Sequence, residues 1–286
     1  MPKKIHQIII VTVLATVISS CRSTDDYKRL AEAGTQYAVA VDSLLDTAGN
    51  IKLDATSEQL LKNDRLLNQT PNDYIELSQL DVEKLQILEE LRAHNQLLKR
   101  YFERLQELAT SNAPQQAQSE IEGIAGNLNV IGKKLRGSSL VTNTEVFKGI
   151  TGFVVSSKIR GALRDELIKR GETINLELTT QEELLDVLGK STKHDLQLIQ
   201  LAQEQRLVIR PLIQPELISN EEAWIATRKS ILTGQKNANQ LIAASAAITD
   251  FKEIFQSFVE GETDSARINT LLTDIESFVA LINTFK

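Results

Sequence analysis

Residues 70–110 read TPNDYIELSQLDVEKLQILEELRAHNQLLKRYFERLQELAT. No glycine interrupts them, and their one proline stands at the start. Thr70 can cap a helix. Pro71 suits its first position, where the missing N–H is no loss, and Asp73 sets an anion in the first turn, against the positive end of the dipole. Behind that start, Val82, Leu85, Leu88, Leu91, Asn95, Leu98, Phe102 and Leu105 recur at three- and four-residue steps, and Ile87, Leu97, Tyr101 and Leu108 widen the stripe. A stripe this wide predicts a helix in a multi-helix bundle rather than one strand of a two-stranded coiled coil. Leu98 and Phe102, one turn apart, should be buried. At 1.5 Å per residue the helix is about 58 Å long. A compact globule of this size has a radius of gyration of about 18 Å, so the expected body is elongated.

The rest of the chain extends the same pattern. Five prolines and 13 glycines are few for 286 residues, and good helix formers dominate the middle. No Asn-Gly or Asp-Gly hairpin turn occurs, and no period of 20–50 residues repeats. Tyr27 to about Asp46 reads as a helix with Leu30, Ala33, Tyr37, Val41 and Leu45 inward. Gly49 and Asn50 predict a break or kink, with helix resuming near Ser57. Pro114 separates the long helix from one over 115–136 with Ile121, Ile124, Leu128 and Ile131 inward. Thr142/Glu145, Thr179/Glu182 and Ser219/Glu222 have capping-box spacing. They predict helices from about Thr144 to Arg170, from Thr179 to Ile209 (broken by Pro211 and Pro215), and from Ser219 towards Phe258. Between the first two, residues 171–180 alternate at Ile174, Leu176 and Leu178 and stay open as strand, loop or helix. Residues 260–267 read as a turn or kink before a last helix, Ser265 to Phe285. The expected class is all-α, an elongated multi-helix bundle with long helices.

The first 26 residues follow different rules. Lys3 and Lys4 precede 13 uncharged, mostly apolar residues, Ile8 to Ser20, and then Cys21, the single cysteine of the chain. A membrane span needs roughly 20 such residues; 13 suits the apolar core of a cleaved signal peptide. The order Ile18, Ser19, Ser20, Cys21 resembles the lipobox of bacterial lipoproteins. That resemblance implies a signal peptide over 1–20, cleavage before Cys21, and a diacylglyceryl group on its sulfur. It divides the chain into signal peptide 1–20, lipidated polar tether 21–26 and helical bundle domain 27–286. Two acyl chains anchor a protein stably where one holds it marginally. In such lipoproteins of Gram-negative bacteria, Asp after the cysteine marks retention in the inner membrane. Arg22 there implies the periplasmic face of the outer membrane.

Chemistry is sparse in the mature chain. Residues 1–20 remove two lysines and no acid, leaving 30 basic against 38 acidic residues, a charge of −8. The basic residues are scattered, so nothing marks a nucleic-acid partner. His6 leaves with the signal; His94 and His194 each stand alone, far from zinc-ligand spacing, and His94 is expected at the edge of the long helix. Asn95 lies in the apolar stripe, where a buried amide would fix helix register, or at its border, where it would be solvated. Paired acids such as Glu89 and Glu90 suit solvated helix faces. The window from Gly149 to Ser157 (GITGFVVSS) resembles the hydrophobic head of helical pore-forming toxins, but it is too short to span a bilayer; close helix packing explains its glycines. LIAASAAI (241–248) suits a tight helix seam. No catalytic, cofactor or metal motif is present. The expectation is a non-enzymatic, lipid-anchored envelope protein acting as scaffold or protein-interaction module. The alternative is a subunit of a pore-forming or membrane-remodelling system.

Overall fold

The computed structural model describes residues 3–63, 69–110, 114–136, 154–157, 159, 161–233, 250–262 and 265–285, with side chains from Asp25 onward except at 63, 110, 114–116 and 285. The Cys21 side chain, the Thr142/Glu145 box, residues 149–153 and the stretch 241–248 lie outside the described set. The described chain is an all-α bundle with long helices: α1 (Lys3–Asn63), α2 (Pro71–Thr110), α3 (Pro114–Arg136), α4 (Gly161–Gln203), α5 (Arg210–Ile213), α6 (221–233), α7 (Phe251–Val259) and α8 (Ser265–Ile282). A π-helical stretch, Glu204–Ile209, joins α4 to α5. The chain divides into two compact units. Unit 1 comprises Met1–Val39, Gln96–Thr180 and Asp250–Thr273; unit 2 comprises Ala40–Asn95, Gln181–Thr249 and Asp274–Lys286.

Five boundaries differ from the sequence reading. Helix α1 runs through Gly49 and Asn50 without a break. Gly49 serves close packing instead: a Cβ there would stand 3.2 Å from Leu85 Cδ2. Residues 21–26 are helical and continuous with α1. Residues 171–180 lie within α4, which begins at Gly161 and needs no start at Thr179. There Thr179 and Thr180 return their hydroxyls to the carbonyls of Asn175 and Leu176, 2.9 Å each, so both bond within the helix. Pro211 does not stop the helix either, because it falls at the start of α5, where its missing N–H costs little. The preceding turn widens into the π-helix, with the Arg210 N–H reaching the carbonyl of Gln205. The cap of α6 is Asn220, not Ser219: Asn220 Oδ1 accepts from the Ala223 N–H at 2.9 Å.

The start of α2 agrees in detail. Thr70 Oγ1 accepts from the Asp73 N–H at 3.3 Å, and Asp73 returns its carboxylate to the Thr70 N–H at 2.6 Å. This is a reciprocal capping box with Asp in the usual place of Glu. Accepting those bonds holds the Asp73 carboxyl below its ordinary range.

Unit 1 is built round aromatic rings. Leu98, Tyr101, Phe102 and Leu105 of α2 are buried, as the stripe requires, with Leu30, Ala33 and Tyr37 of α1. Phe102 stands edge-on to Phe251 (5.3 Å between centroids) and Phe255 (6.1 Å), and Tyr37 stacks on Phe251 at 4.9 Å. Gly34 makes this possible, since any Cβ there would overlap the Phe102 ring. Helix α7 buries Phe251, Ile254, Phe255, Phe258 and Val259, one full stripe in nine residues. It ends at Gly261 (φ 88°), whose N–H bonds the Phe258 carbonyl while Glu262 N–H bonds that of Ser257. Those two bonds form a Schellman cap, which needs a glycine in the left-handed region. On α3, Ile121 and Leu128 are buried, whereas Ile124 and Ile131 are half-buried; Ala117, Ala125 and Leu135 complete the inner face.

Unit 2 packs Val41, Leu44, Leu45 and Ile51 of α1 with Leu88 and Leu91 of α2 and Leu184, Leu185 and Leu188 of α4. The Arg92 guanidinium forks onto Asp42, 3.2 Å to each carboxylate oxygen, a geometry only arginine offers. Inside, Thr56 Oγ1 donates to Asp81 Oδ2 at 2.6 Å.

Candidate interaction surface

Of the 12 exposed large apolar side chains of unit 2 among the described residues, seven lie on the elements that meet at one of its ends. The short helix α5 carries Pro211 in its first turn, and an irregular stretch over 214–220, with Pro215, follows it. On α5 Leu212 is 60 % and Ile213 74 % exposed, and on the stretch after it Leu217 is 96 % exposed. Pro215 disfavours helix in the residue before it, and Gln214 leaves α5 extended. Two contacts tie the residues just before Leu212 to neighbouring ends: Arg210 bonds the Lys62 carbonyl at the end of α1, and Trp224 Nε1 on α6 bonds the Val208 carbonyl at 3.2 Å. Gln69 Nε2, just before α2, bonds the Leu60 carbonyl at 2.9 Å. Arg206 and Gln203 close on Glu58, with Arg206 Nη2 2.6 Å from Glu58 Oε1. These contacts bring Leu61, Tyr74, Ile75 and Ile225, also exposed, to the same end. Val82, expected inside the stripe, is exposed too, because the apolar face of α2 is covered only from about Leu88 onward. Scattered exposed leucines are ordinary; a scaffolded group of them marks an interaction site.

Two buried polar groups form a contrast to this surface. In unit 2, Asn95 and His94 are both buried, so Asn95 belongs to the stripe and His94 is not at its edge. Gln181 Nε2 donates to Asn95 Oδ1 at 3.2 Å. Both residues line a water-sized cavity of about 20 Å³ among Val41, Leu45, Leu91 and Leu184. An amide pair in an apolar layer fits register fixing better than ligand binding. His194 is exposed.

In unit 1, α4 buries Glu166 beside Arg170, four residues on, with the fully buried Tyr101 facing them from α2. Burial pushes Glu166 up against the opposing pull of Arg170, and pushes Tyr101 well up. A carboxyl raised on folding stabilises the fold while protonated and loses that contribution as pH climbs through its folded value. Glu166→Gln should therefore flatten the stability–pH curve just above the ordinary glutamate range, read as urea midpoints between pH 4 and 8. An unchanged pH slope would refute the desolvated carboxyl. Further along, Arg136 Nη1 reaches Glu177 Oε1 at 2.9 Å and Thr180 Oγ1 at 3.1 Å. The i, i+4 spacing of Glu166 and Arg170 was legible; that both are inside was not.

Among the described residues, no group of three or more His, Cys, Asp or Glu side chains could hold a metal ion, and no helix is long and apolar enough to cross a membrane. No family model, curated protein or solved structure matches the chain.

Proposed function

We propose that this is a lipid-anchored helical protein of the bacterial envelope that works by binding another protein, through the apolar end of unit 2. The observation that carries the reading is the exposure of Leu212, Ile213 and Leu217 on α5 and the stretch after it, next to Val208 and Arg210, which hydrogen bonds tie to α6 and to the end of α1. Support for the anchor comes from the Ile18–Cys21 lipobox at the end of a signal-like segment. On this reading the sorting signal at Arg22 directs the protein to the periplasmic face of the outer membrane.

Two arms test it. Cys21→Ala should leave an unlipidated precursor that no longer fractionates as wild type does; processed, outer-membrane-bound Cys21→Ala protein refutes the anchor. A photo-crosslinking residue at Leu217, at native expression, should give one discrete adduct that the same group at exposed Lys133 does not. Ile213→Asp should abolish that adduct with the unfolding midpoint nearly unchanged, because exposed substitutions usually shift stability by less than about 0.5 kcal/mol. Equal labelling at both positions, or an adduct that survives Ile213→Asp, removes the interface.

A further inference from the structure

At one end of unit 1 three separate stretches meet. Tyr27 on α1 donates its hydroxyl to the Phe258 carbonyl at 3.2 Å, and Ser265 Oγ donates to Asp26 Oδ1 at 2.9 Å. The Tyr27 ring lies edge-on to Phe258, 6.0 Å between centroids. Burial, and then Asp26, raise its phenol to about 12. It stays neutral and keeps its proton for that bond at any physiological pH. On the same end, Ser156 N–H bonds the Val259 carbonyl at 2.8 Å. This pins residues 154–156 beside the Gly261 turn, with Val154 65 % exposed.

The position of Cys21 gives this end a meaning. It precedes Tyr27 by six residues, and the backbone is helical throughout that interval. Six residues of helix advance only about 9 Å. A flexible tether would let the body swing away from the bilayer; a helical one fixed at Tyr27 does not. We infer that the end of unit 1 formed by Asp26–Tyr27, Val154–Ser156 and Phe258–Glu262 lies against the phospholipid bilayer that holds the Cys21 lipid, with Val154 entering the headgroup layer. This inference rests on the lipid anchor proposed above. The occupant is a zwitterionic surface rather than an anionic one: Lys28 pairs Asp25 at 3.4 Å and Arg29 is exposed, but Asp26, Glu260 and Glu262 leave this end acidic on balance, which anionic headgroups would repel. The bilayer contact adds apolar area to the two acyl chains, and attachment strengthens with such area.

The test uses the full lipidated chain in phosphatidylcholine vesicles. With Cys21 alkylated, Val154→Cys can carry a single environment-sensitive fluorophore. Lys133→Cys is the control; it neighbours Gly132, which lies against Glu177, about 24 Å along α4 from Gly161. The expected result is blue-shifted emission and quenching by brominated lipid at position 154 alone, diminished when phosphatidylglycerol is added. No quenching at 154, equal quenching at both positions, or an increase with phosphatidylglycerol, in chains whose Cys21 carries lipid by mass spectrometry, overturns the bilayer contact and leaves the anchor standing. Cys21 found without lipid overturns the anchor, and the inference with it.

Discussion

Arg136→Ala should be among the most destabilising single substitutions in unit 1. Glu177 is fully buried, and its carboxylate lies over Gly132, where a Cβ would overlap it unless it moved. Arg136 supplies its opposite charge at 2.9 Å and bonds Thr180 Oγ1 as well. Removing one partner of a buried ion pair leaves the other less well compensated in low dielectric, at a cost of up to about 3–5 kcal/mol. Domain stabilities are only about 5–15 kcal/mol, so the urea midpoint should fall steeply. The cost lies in the weaker compensation of the buried carboxylate more than in the lost bond. Arg136→Met combined with Glu177→Leu should therefore recover most of the loss. If Arg136→Ala leaves the midpoint where it was, Glu177 has water or another cation beside it and the buried-pair description fails.

Phe102→Ala should be comparably severe, by a different mechanism. The ring has no exposed surface and touches Phe251, Phe255 and Tyr101, with Gly34 beneath it. Deleting it removes apolar contact and leaves a cavity that the rigid helices cannot close, for a loss of about 3–5 kcal/mol. Part of that loss is the edge-on aromatic geometry, worth about 0.5–1.5 kcal/mol per pair. Leu98→Ala should cost about 2–5 kcal/mol. Lys99→Ala, whose amine sits 3.7 Å from Glu103 in a partly exposed pair, should cost little. Equilibrium unfolding by circular dichroism measures all three. Phe102→Ala and Lys99→Ala variants with the same midpoint would show that the aromatic cluster does not hold unit 1 together.

The glycine at position 34 supplies an independent check on the same packing. Nothing in its neighbours' identities announces a close approach, yet its place under Phe102 admits no Cβ. Glycine in a helix normally costs about 1 kcal/mol relative to alanine, so its presence in the middle of α1 records a packing demand that outweighs propensity.

Local pattern was enough to establish the all-α class, the start of α2 at Thr70–Asp73, the burial of Leu98 and Phe102, and the turn before α8. These features depend on periods of three and four residues, on caps and on turn chemistry, all written within one helical turn of sequence. The same local reading placed breaks at Gly49 and near Thr179, and closed a helix at Pro211, where the chain stays helical. A glycine that signals a break in isolation serves close packing when a neighbour's leucine occupies its missing side chain. A proline that ends one helix starts another when it falls at a first-turn position. Tertiary structure alone decided that His94, Asn95, Glu166 and Glu177 are inside, and that Leu212, Ile213 and Leu217 are outside. The partners that bury or bypass these residues come from helices distant in sequence: Gln181 for Asn95, Arg136 for Glu177, Tyr101 beside Glu166. Periodicity tells which face of a helix is apolar; only the packed neighbours determine how far along that face the cover extends.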